Sequence, residues 1–344
     1  MVVLLVSILC NCRKGTRMPG PEIMELRGRT MGTSFMIKVV KPVSMIDTPT
    51  SKLTADIAAG VDTLLKDINL QMSTWIKESE ISRFNDYRDA GWFSVSPGTV
   101  QVFAEAKRIS VLSGGAFDIT VGPLINLWGF GPTKKEQQIP TVEQISAIMS
   151  KVGYQKVSVQ LAPAALKKAV PELRCNLSAL AKGYGVDMVG KFLEEQGYGS
   201  YLVEIGGEVR TKGSKQKNKL WRVAIAAPGP NGKSPYQKVL PLRDMSMATS
   251  GDYFNYFEKD GVRYSHTIDP TTGKPITHKL ASVTVLHPSC MTADALATVI
   301  NVMGPEKGFR LAVRENLAAF FVVRETGSFI EKMTPAFKVF LEKK

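Results

Sequence analysis

The chain has 344 residues, of which 44% are hydrophobic and 22% are charged, so it can bury a substantial core and is not an intrinsically disordered protein. Its net charge of +13 at pH 7 favours anionic partners such as nucleotides or lipid head groups. No nucleic-acid site is expected, because the densest basic run, KGSKQKNK at 212–219, has polar spacers and no interleaved aromatic residue.

The N-terminal segment 1–12 is predicted to be an export signal that ends in a lipidated cysteine. Residues 2–10, VVLLVSILC, are too short to span a bilayer but suit the apolar region of a signal peptide. Leu9, three residues before Cys12, resembles the start of a lipoprotein cleavage box, although Cys10 and Asn11 are not the usual small pair. We expect an exported protein, anchored by lipid on the periplasmic face of the inner membrane, with Cys12 preferred over Cys10 as the lipidated residue.

The remaining cysteines and the histidines argue against a zinc-type metal centre. Cys175 and Cys290 form no CxxC pattern, and the three histidines are His266, His278 and His287, which do not cluster in the sequence. The sequence therefore predicts no transition-metal cluster built from these residues.

Residues 13–29 are expected to form a linker, and residues 30–340 a folded domain, either single or with two subdomains. In chain order, the patterns predict a strand at 34–40, a helix at 51–72, a helix from Pro97 to Gly114, and a helix that begins with a capping box at Thr141 and Gln144. A helix at 180–195 precedes a hairpin at 201–213 that turns at Gly206-Gly207.

Strands are then predicted at 220–228, 239–249 and 280–287, followed by a helix at 289–304, another helix and a strand at 317–325. Hairpin-like strand pairs mixed with helices, without regular strand–helix alternation, indicate an α+β fold with mixed, largely antiparallel sheets.

The helix at 289–304 carries an unusual pair of side chains. Asp294 and Thr298 are four residues apart, so their oxygens lie on one face of the helix. An aspartate near a helix N-terminus also complements the helix dipole, and a helical threonine can bond back to a carbonyl. The pair alone therefore leaves open a capping role or a ligand role.

Three other segments are too rich in glycine or polar residues to be explained as core. They are GGAFDITVGPLINLWGFGP at 114–132, NLSALAKGYGVDMV at 176–189 and YSHTIDPTTGKPI at 264–276. Clustered glycines permit unusual backbone angles or close approach of a ligand or a neighbouring surface. Loops that bridge two layers would have a similar composition, so a structural role also remains open.

Taken together, these segments resemble the FAD:protein FMN transferase family, the ApbE-type flavin transferases or flavin-trafficking lipoproteins. The resemblance covers nearly all of residues 30–325, and its motifs occur in order: MGTSF (31–35), MSTWIKESEISRFN (72–85), GAFDITVGPL (115–124), NLSALAKGYGVD (176–187), VEIGGEVRTKG (203–213), SGDYF (250–254), YSHTIDPTTGKPI (264–276) and MTADALATVINVMG (291–304). It implies an ApbE-like fold and Mg²⁺-dependent transfer of FMN from FAD to a threonine of an acceptor protein through a phosphoester bond, with release of AMP.

The resemblance also implies roles for individual residues. Asp294 and Thr298 match metal-binding positions, with the backbone carbonyls of Ala181 and Ala297 completing the set; such hard oxygen ligands suit Mg²⁺. The positions matching FAD contacts are Met31, Trp75, Ala116, Phe117, Asp118, Ser178, Tyr184 and Ile268.

His266 is implied as the catalytic group that assists proton transfer, and Asp269 as a residue that orients this region. The sequence departs from the family pattern at Asn176, where Asp is usual and a local hydrogen bond could be weakened, and at Trp75, where Tyr is common.

Two alternatives stay open: an FAD diphosphatase that forms FMN and AMP, and an exported flavin-binding lipoprotein without catalysis.

Overall fold

The computed structural model describes residues 21–131, 139–217, 219–227, 236–251, 256–259 and 261–341. The predicted signal at 1–12, with Cys10 and Cys12, lies outside these ranges. Within them, no helix is both long and apolar enough to cross a membrane.

The helices are α1 (Thr50–Met72), α2 (Glu80–Asp86), α3 (Pro97–Leu112), α4 (Gly122–Leu127), α5 (Val142–Met149), α6 (Ser178–Glu195), α7 (Cys290–Arg314) and α8 (Pro335–Lys338), with 3₁₀ turns at Val43–Met45, Ile119–Val121 and Tyr154–Lys156. The first strands are β1 (Ile23–Thr30), β2 (Thr33–Val40), β3 (Phe93–Ser94), β4 (Val157–Gln160), β5 (Ala165–Lys168), β6 (Tyr201–Ile205), β7 (Glu208–Lys212) and β8 (Trp221–Ala226). The later strands are β9 (Tyr236–Leu242), β10 (Met245–Gly251), β11 (Tyr256–Lys259), β12 (Val262–Ser265), β13 (Ile268–Asp269), β14 (Lys274–Pro275), β15 (Leu280–His287), β16 (Ala318–Glu325) and β17 (Ser328–Met333).

An eight-stranded sheet in the order β1-β2-β6-β7-β10-β15-β16-β17 organises the fold. Every neighbouring pair in this sheet is antiparallel. A three-stranded sheet, β3-β5-β4, and three two-stranded sheets, β8-β9, β11-β12 and β13-β14, accompany it. The predicted α+β class with largely antiparallel sheets is confirmed.

Strand β16 shows that the large sheet is covered on both faces. Ala319 and Phe321 join the core that contains α3, α6 and α7, whereas Phe320 and Val322 join the core formed with the β8–β9 hairpin and Phe337 of α8. Because side chains alternate between the faces of a strand, a fully apolar run such as this one indicates burial on both sides.

Most of the predicted elements are present with the expected ends. Helix α3 begins at Pro97, where Ser96 accepts a hydrogen bond from the backbone of Thr99. Both hydrogen bonds of the predicted capping box join Thr141 and Gln144 at the start of α5. In the β6–β7 hairpin, the two turn glycines have φ angles of 60° and 100°, which favour glycine.

Two predicted boundaries need correction. Strand β1 occupies Ile23–Thr30, most of which was assigned to the linker 13–29, and it buries Met24 and Leu26 against the helical side of the sheet. Only Met24 and Leu26 form the apolar series of β1 before Gly28 interrupts it, and this series is too short to predict a strand. The predicted strand at 239–249 is two strands, because Asp244 has a φ of 52° and turns the chain between β9 and β10.

Helix α7 is kinked where the sequence predicted that a helix ends. Gly304 has φ 78° and ψ −177°, and Pro305 follows it, so the helix that starts at Cys290 is interrupted there and a second segment continues to Arg314. Ser289 caps the first segment by accepting a hydrogen bond from the backbone N–H of Thr292. The segment that carries Asp294 and Thr298 is therefore delimited at both ends.

Candidate active site

Two adjoining cavities lie where the β1–β2 turn, the C-terminal end of α1 and the N-terminal end of α6 meet. The larger, of about 910 Å³, contains the predicted site residues Met31, Trp75, Ser178, Ala181 and His266 in its lining. The smaller, of about 410 Å³, contains Ala116, Phe117, Asp118, Ser178, His266, Ile268, Asp294 and Thr298. Sequence positions separated by more than two hundred residues are thus brought to one place.

The larger cavity begins at a tight turn. Met31 and Gly32 join β1 to β2 with φ angles of 48° and 73°, a left-handed pair typical of two-residue hairpins. A Cβ placed on Gly185 of α6 would lie 2.9 Å from the terminal methyl of Met31, so glycine at this position makes room for the methionine side chain. Trp75 also lines this cavity and is 70% exposed, which leaves its ring available to cover a ligand.

The segment 116–118 is held rigidly beside the smaller cavity. Asp118 Oδ1 accepts hydrogen bonds from the backbone and the hydroxyl of Thr120 at 2.7 and 2.6 Å, and Oδ2 accepts one from the backbone of Tyr154 at 2.7 Å. Burial raises the pKa of Asp118, while these hydrogen bonds act to lower it. The carboxylate therefore shapes this wall of the cavity through contacts with the protein itself.

Asn176 stands where the resemblance implies an aspartate, and it still forms the local turn. Its Oδ1 accepts a hydrogen bond of 2.9 Å from the backbone N–H of Ser178, the first residue of α6. An amide oxygen makes this contact as a carboxylate oxygen does, so the substitution removes a negative charge near the cavity but keeps the start of the helix.

The most strongly charged part of the smaller cavity combines Asp294, Lys182 and Glu208. Asp294 Oδ2 accepts a hydrogen bond of 3.1 Å from the backbone N–H of Gly183, and Lys182 Nζ lies 2.7 Å from Glu208 Oε2. Asp294 and Glu208 are 6% and 2% exposed, so neither carboxylate is screened by bulk water.

The pKa values of these three groups reflect their shared burial. Burial raises the pKa of Asp294 to about 6, against the lowering effects of Lys182 and the Gly183 N–H. Burial, together with the charge of Asp294, raises the pKa of Glu208 to about 8. Burial alone would lower the pKa of Lys182, but Asp294 and Glu208 outweigh it and raise this pKa to about 12. Two buried carboxylates facing one ammonium group form a site that further positive charge would stabilise.

The donor set beside Asp294 fits a hard cation. Among the described residues, Oδ1 of Asp294 and the hydroxyl of Thr298 have no hydrogen-bond partner, and both residues line the smaller cavity. Nowhere in the described ranges do three His, Cys, Asp or Glu side chains form a group suited to a metal. A cation held here would depend on one carboxylate, neutral oxygens and oxygens of a ligand, which is the coordination that Mg²⁺ accepts.

Of the two residues predicted to bind the metal through a backbone carbonyl, only Ala181 lines a cavity. Ala181 lies in the first turn of α6 and lines the larger cavity. Ala297 is fully buried within α7 and lines neither cavity. Their predicted role as metal ligands stays a prediction.

His266 lies at the junction of the two cavities, because it lines both. The ring of Phe130 packs edge-on against it, with centroids 6.4 Å apart. Asp269 lines neither cavity; its Oδ1 accepts hydrogen bonds from the backbone and hydroxyl of Thr271 at 2.8 and 2.7 Å. Asp269 thus stabilises the β13–β14 turn, whereas His266, the predicted catalytic residue, borders both cavities.

One predicted FAD contact, Tyr184, is not brought to the site. Two charged residues that line the smaller cavity, Lys182 and Glu208, were not predicted. Tyr184 is 5% exposed and packs in the core between α1, α3 and α6, so it lines neither cavity. Lys182 could have been found, because it lies four residues after Ser178 on the same face of α6. Glu208 has no comparable signal, since it follows a turn and begins a strand like many exposed residues.

Comparison with known proteins agrees with this architecture. The family model described as the ApbE family matches residues 31–321. The FAD:protein FMN transferase of Vibrio cholerae serotype O1 is 44% identical over 336 residues, 98% of this chain and 96% of that protein. The FAD:protein FMN transferase of Escherichia coli strain K12 is 39% identical over 322 residues, 93% of this chain and 90% of that protein.

Solved structures give the same result. The flavin transferase ApbE from Vibrio cholerae superposes with a TM-score of 0.84 at 42% identity, covering 93% of this chain and 99% of that one. The apo form of the Pseudomonas stutzeri flavinyl transferase ApbE gives a TM-score of 0.85 at 39% identity, covering 94% and 98%. Since the similarity extends over sequence, fold and nearly the full length, the chain belongs to the ApbE family.

Proposed function

We propose that this chain transfers FMN from FAD to a threonine of an acceptor protein, forming a phosphoester and releasing AMP. The observation that carries the proposal is the position of Asp294, Thr298 and Lys182 in a cavity that also contains His266. The larger adjoining cavity, lined by apolar residues such as Met31 and Ile68, suits a flat ring system. An aromatic ring joined to a diphosphate matches this division into an apolar and a charged compartment.

The reaction requires one bond to form and one to break at phosphorus. The acceptor hydroxyl oxygen bonds to the phosphorus of the FMN half, the bond from that phosphorus to the bridging oxygen breaks, and AMP leaves with the bridging oxygen. In this proposal His266 takes the hydroxyl proton. Lys182 contributes positive charge on the wall of the smaller cavity, where the negative charge of a diphosphate would lie.

Mg²⁺ is the proposed cofactor. Asp294 and Thr298 would hold it, together with carbonyl oxygens such as that of Ala181. When bound, it supplies neutralisation of the charge on the diphosphate. Support comes from Oδ1 of Asp294 and the hydroxyl of Thr298, which have no hydrogen-bond partner among the described residues, and from the hard character of these ligands.

A direct experiment tests the activity. Incubation of the protein with FAD, Mg²⁺ and a flavin-acceptor domain is expected to yield AMP and covalently fluorescent acceptor in equal amounts. Omitting Mg²⁺, or replacing the acceptor threonine with alanine, should prevent labelling. AMP and free FMN without labelled acceptor would instead identify an FAD diphosphatase, and FAD binding without AMP release a non-catalytic carrier.

Export and lipid anchoring at Cys12 are also proposed, from the apolar run at 2–10 and the cysteines that follow it. The Cys12→Ser protein is expected to move from the membrane fraction to the soluble exported fraction, because it lacks the thiol that carries the lipid. Fractionation and labelling with a fatty-acid probe measure this, with Cys10→Ser as the matched control. Membrane association and lipid labelling that survive in Cys12→Ser would exclude Cys12 as the anchor.

A further inference from the structure

Asp187, the last residue of the motif at 176–187, holds the beginning of helix α7. Its Oδ1 accepts a hydrogen bond of 3.0 Å from the backbone N–H of Cys290, and its Oδ2 accepts one of 3.0 Å from the backbone N–H of Met291. Oδ2 also accepts a bond of 2.8 Å from the hydroxyl of Ser289, the N-cap of α7. One carboxylate on α6 therefore binds three consecutive residues at the N-terminus of the helix that carries Asp294.

Arg210 of β7 fixes this carboxylate from the other side. Its Nη1 lies 2.8 Å from Asp187 Oδ1, and its Nε donates to the hydroxyl of Tyr201 at 3.1 Å. The Arg210 and Asp187 side chains are 23% and 12% exposed, so the ion pair is largely removed from solvent. The central sheet is thus linked through Asp187 to the start of α7.

Helices α6 and α7 meet a second time, one turn away. The backbone N–H of Gly183 donates to Asp294 Oδ2 at 3.1 Å, and Gly183 lies four residues before Asp187 on the same face of α6. A Cβ on Gly183 would lie 2.7 Å from the carbonyl carbon of Cys290 and 2.8 Å from Met291 Cα. The backbone of α6 at Gly183 is therefore in close contact with the backbone of α7 at Cys290 and Met291.

We propose that Asp187, held by Arg210, is a positioning residue that sets the register of α7 against α6 and so places Asp294 and Thr298 for cation binding. It reaches the cation only through the helix, because it accepts hydrogen bonds from the hydroxyl of Ser289 and the backbone N–H groups of Cys290 and Met291 and lines neither cavity. The inference rests on the proposed function, from which it takes the cation. It adds a residue outside the cavities that determines how well their ligands are aligned.

The alternative is that Asp187 only stabilises the start of α7, as a helix cap does. Glu80 provides the matched control for this alternative. It accepts hydrogen bonds at the N-terminus of another helix, α3, from the backbone N–H of Ser96 at 3.0 Å and the hydroxyl of Thr99 at 2.7 Å. Like Asp187, it lines neither cavity, and it contacts neither α6 nor α7 through these bonds.

The experiment measures Mg²⁺ binding to the whole protein by calorimetry, without FAD, alongside thermal unfolding. Substitutions in the shell behind metal ligands commonly weaken metal affinity by about 10–100-fold, so Asp187→Asn is expected to raise the Kd for Mg²⁺ at least about tenfold. Its AMP release should recover towards the wild-type rate as Mg²⁺ is raised, because the ligands and His266 are intact. Glu80→Gln should lower the unfolding temperature and leave the Kd for Mg²⁺ unchanged.

Arg210→Gln retains the Asp187 carboxylate but removes the ion pair that holds it, and a smaller increase in the Kd is expected. This variant decides the question if Asp187→Asn does not fold. Unchanged Mg²⁺ affinity in the folded variants, with lowered thermal stability alone, would overturn the positioning role. If the unmodified protein transfers FMN but its Mg²⁺ affinity is unchanged by substitution of Asp187 or Arg210, the proposed function stands and only the positioning role fails. If the unmodified protein neither binds Mg²⁺ nor releases AMP, both the proposed function and the positioning role fail.

Discussion

Replacement of Asp294 by alanine is expected to reduce Mg²⁺-dependent release of AMP from FAD by roughly two orders of magnitude or more, the equivalent of about 2.7 kcal/mol in the barrier. Asp294 is the charged side chain next to Thr298 on the face of α7 that lines the smaller cavity, and it is almost fully buried. Its removal would take away the charged ligand of the proposed cation, which neutralises the substrate diphosphate. Steady-state rates across a Mg²⁺ titration measure the effect.

Related substitutions separate the role of charge from that of helix structure. Asp294→Asn keeps an oxygen that can accept from the Gly183 N–H but loses the charge, so its activity should fall nearly as far as that of Asp294→Ala. Thr298→Ala should have a smaller effect, because water can replace a neutral hydroxyl ligand. His266→Ala should slow turnover while Mg²⁺ affinity stays nearly normal.

Near-normal Mg²⁺-dependent activity in Asp294→Ala would contradict the metal role. Asp294 would then be only a carboxylate that stabilises the first turns of α7. That is the capping role that the sequence alone left open.

Replacement of Gly183 by alanine is expected to destabilise the protein by about 1–3 kcal/mol and to reduce activity at least tenfold. In an ordinary helix this substitution would be stabilising by about 1 kcal/mol. Here the added methyl would meet the backbone of Cys290 and Met291, which cannot rotate away as the end of a side chain can. The steric effect is therefore expected to exceed the gain in helix propensity.

The clash would separate α6 from α7 and break the hydrogen bond between the Gly183 N–H and Asp294. Thermal unfolding and AMP release measure the two consequences. Gly199→Ala is the matched control, because a Cβ at Gly199 would have no heavy atom within 4 Å beyond its own residue and its two chain neighbours. A Gly183→Ala protein with unchanged stability and activity would show that the backbone contact does not determine the site.

Local patterns were sufficient to predict the elements that carry the site. The apolar face of α1, the proline at the start of α3, the capping box of α5 and the Gly304-Pro305 break in α7 all depend on residues within a few positions of one another. For the same reason, Asp294 and Thr298 could be placed on one face of α7 without knowledge of any other element. The order of the motifs was enough to indicate the ApbE family, which the comparisons then showed.

Only the tertiary structure decided how these elements meet. Strand β1 is ordered by pairing with β2, and its burial depends on α1 and the sheet, so its own residues read as a linker. Tyr184 entered the core because α6 presents that face to α1 and α3.

Long-range contacts also determined which charged side chains lie near Asp294. Buried Glu208 pairs with the partly exposed Lys182 because the β6–β7 turn brings one beside the other, and Asp187 reaches α7 across more than one hundred residues of chain. Periodicity along a chain determines which side chains share a face. The partner of that face depends on burial and hydrogen bonds between distant segments, which leave no local pattern.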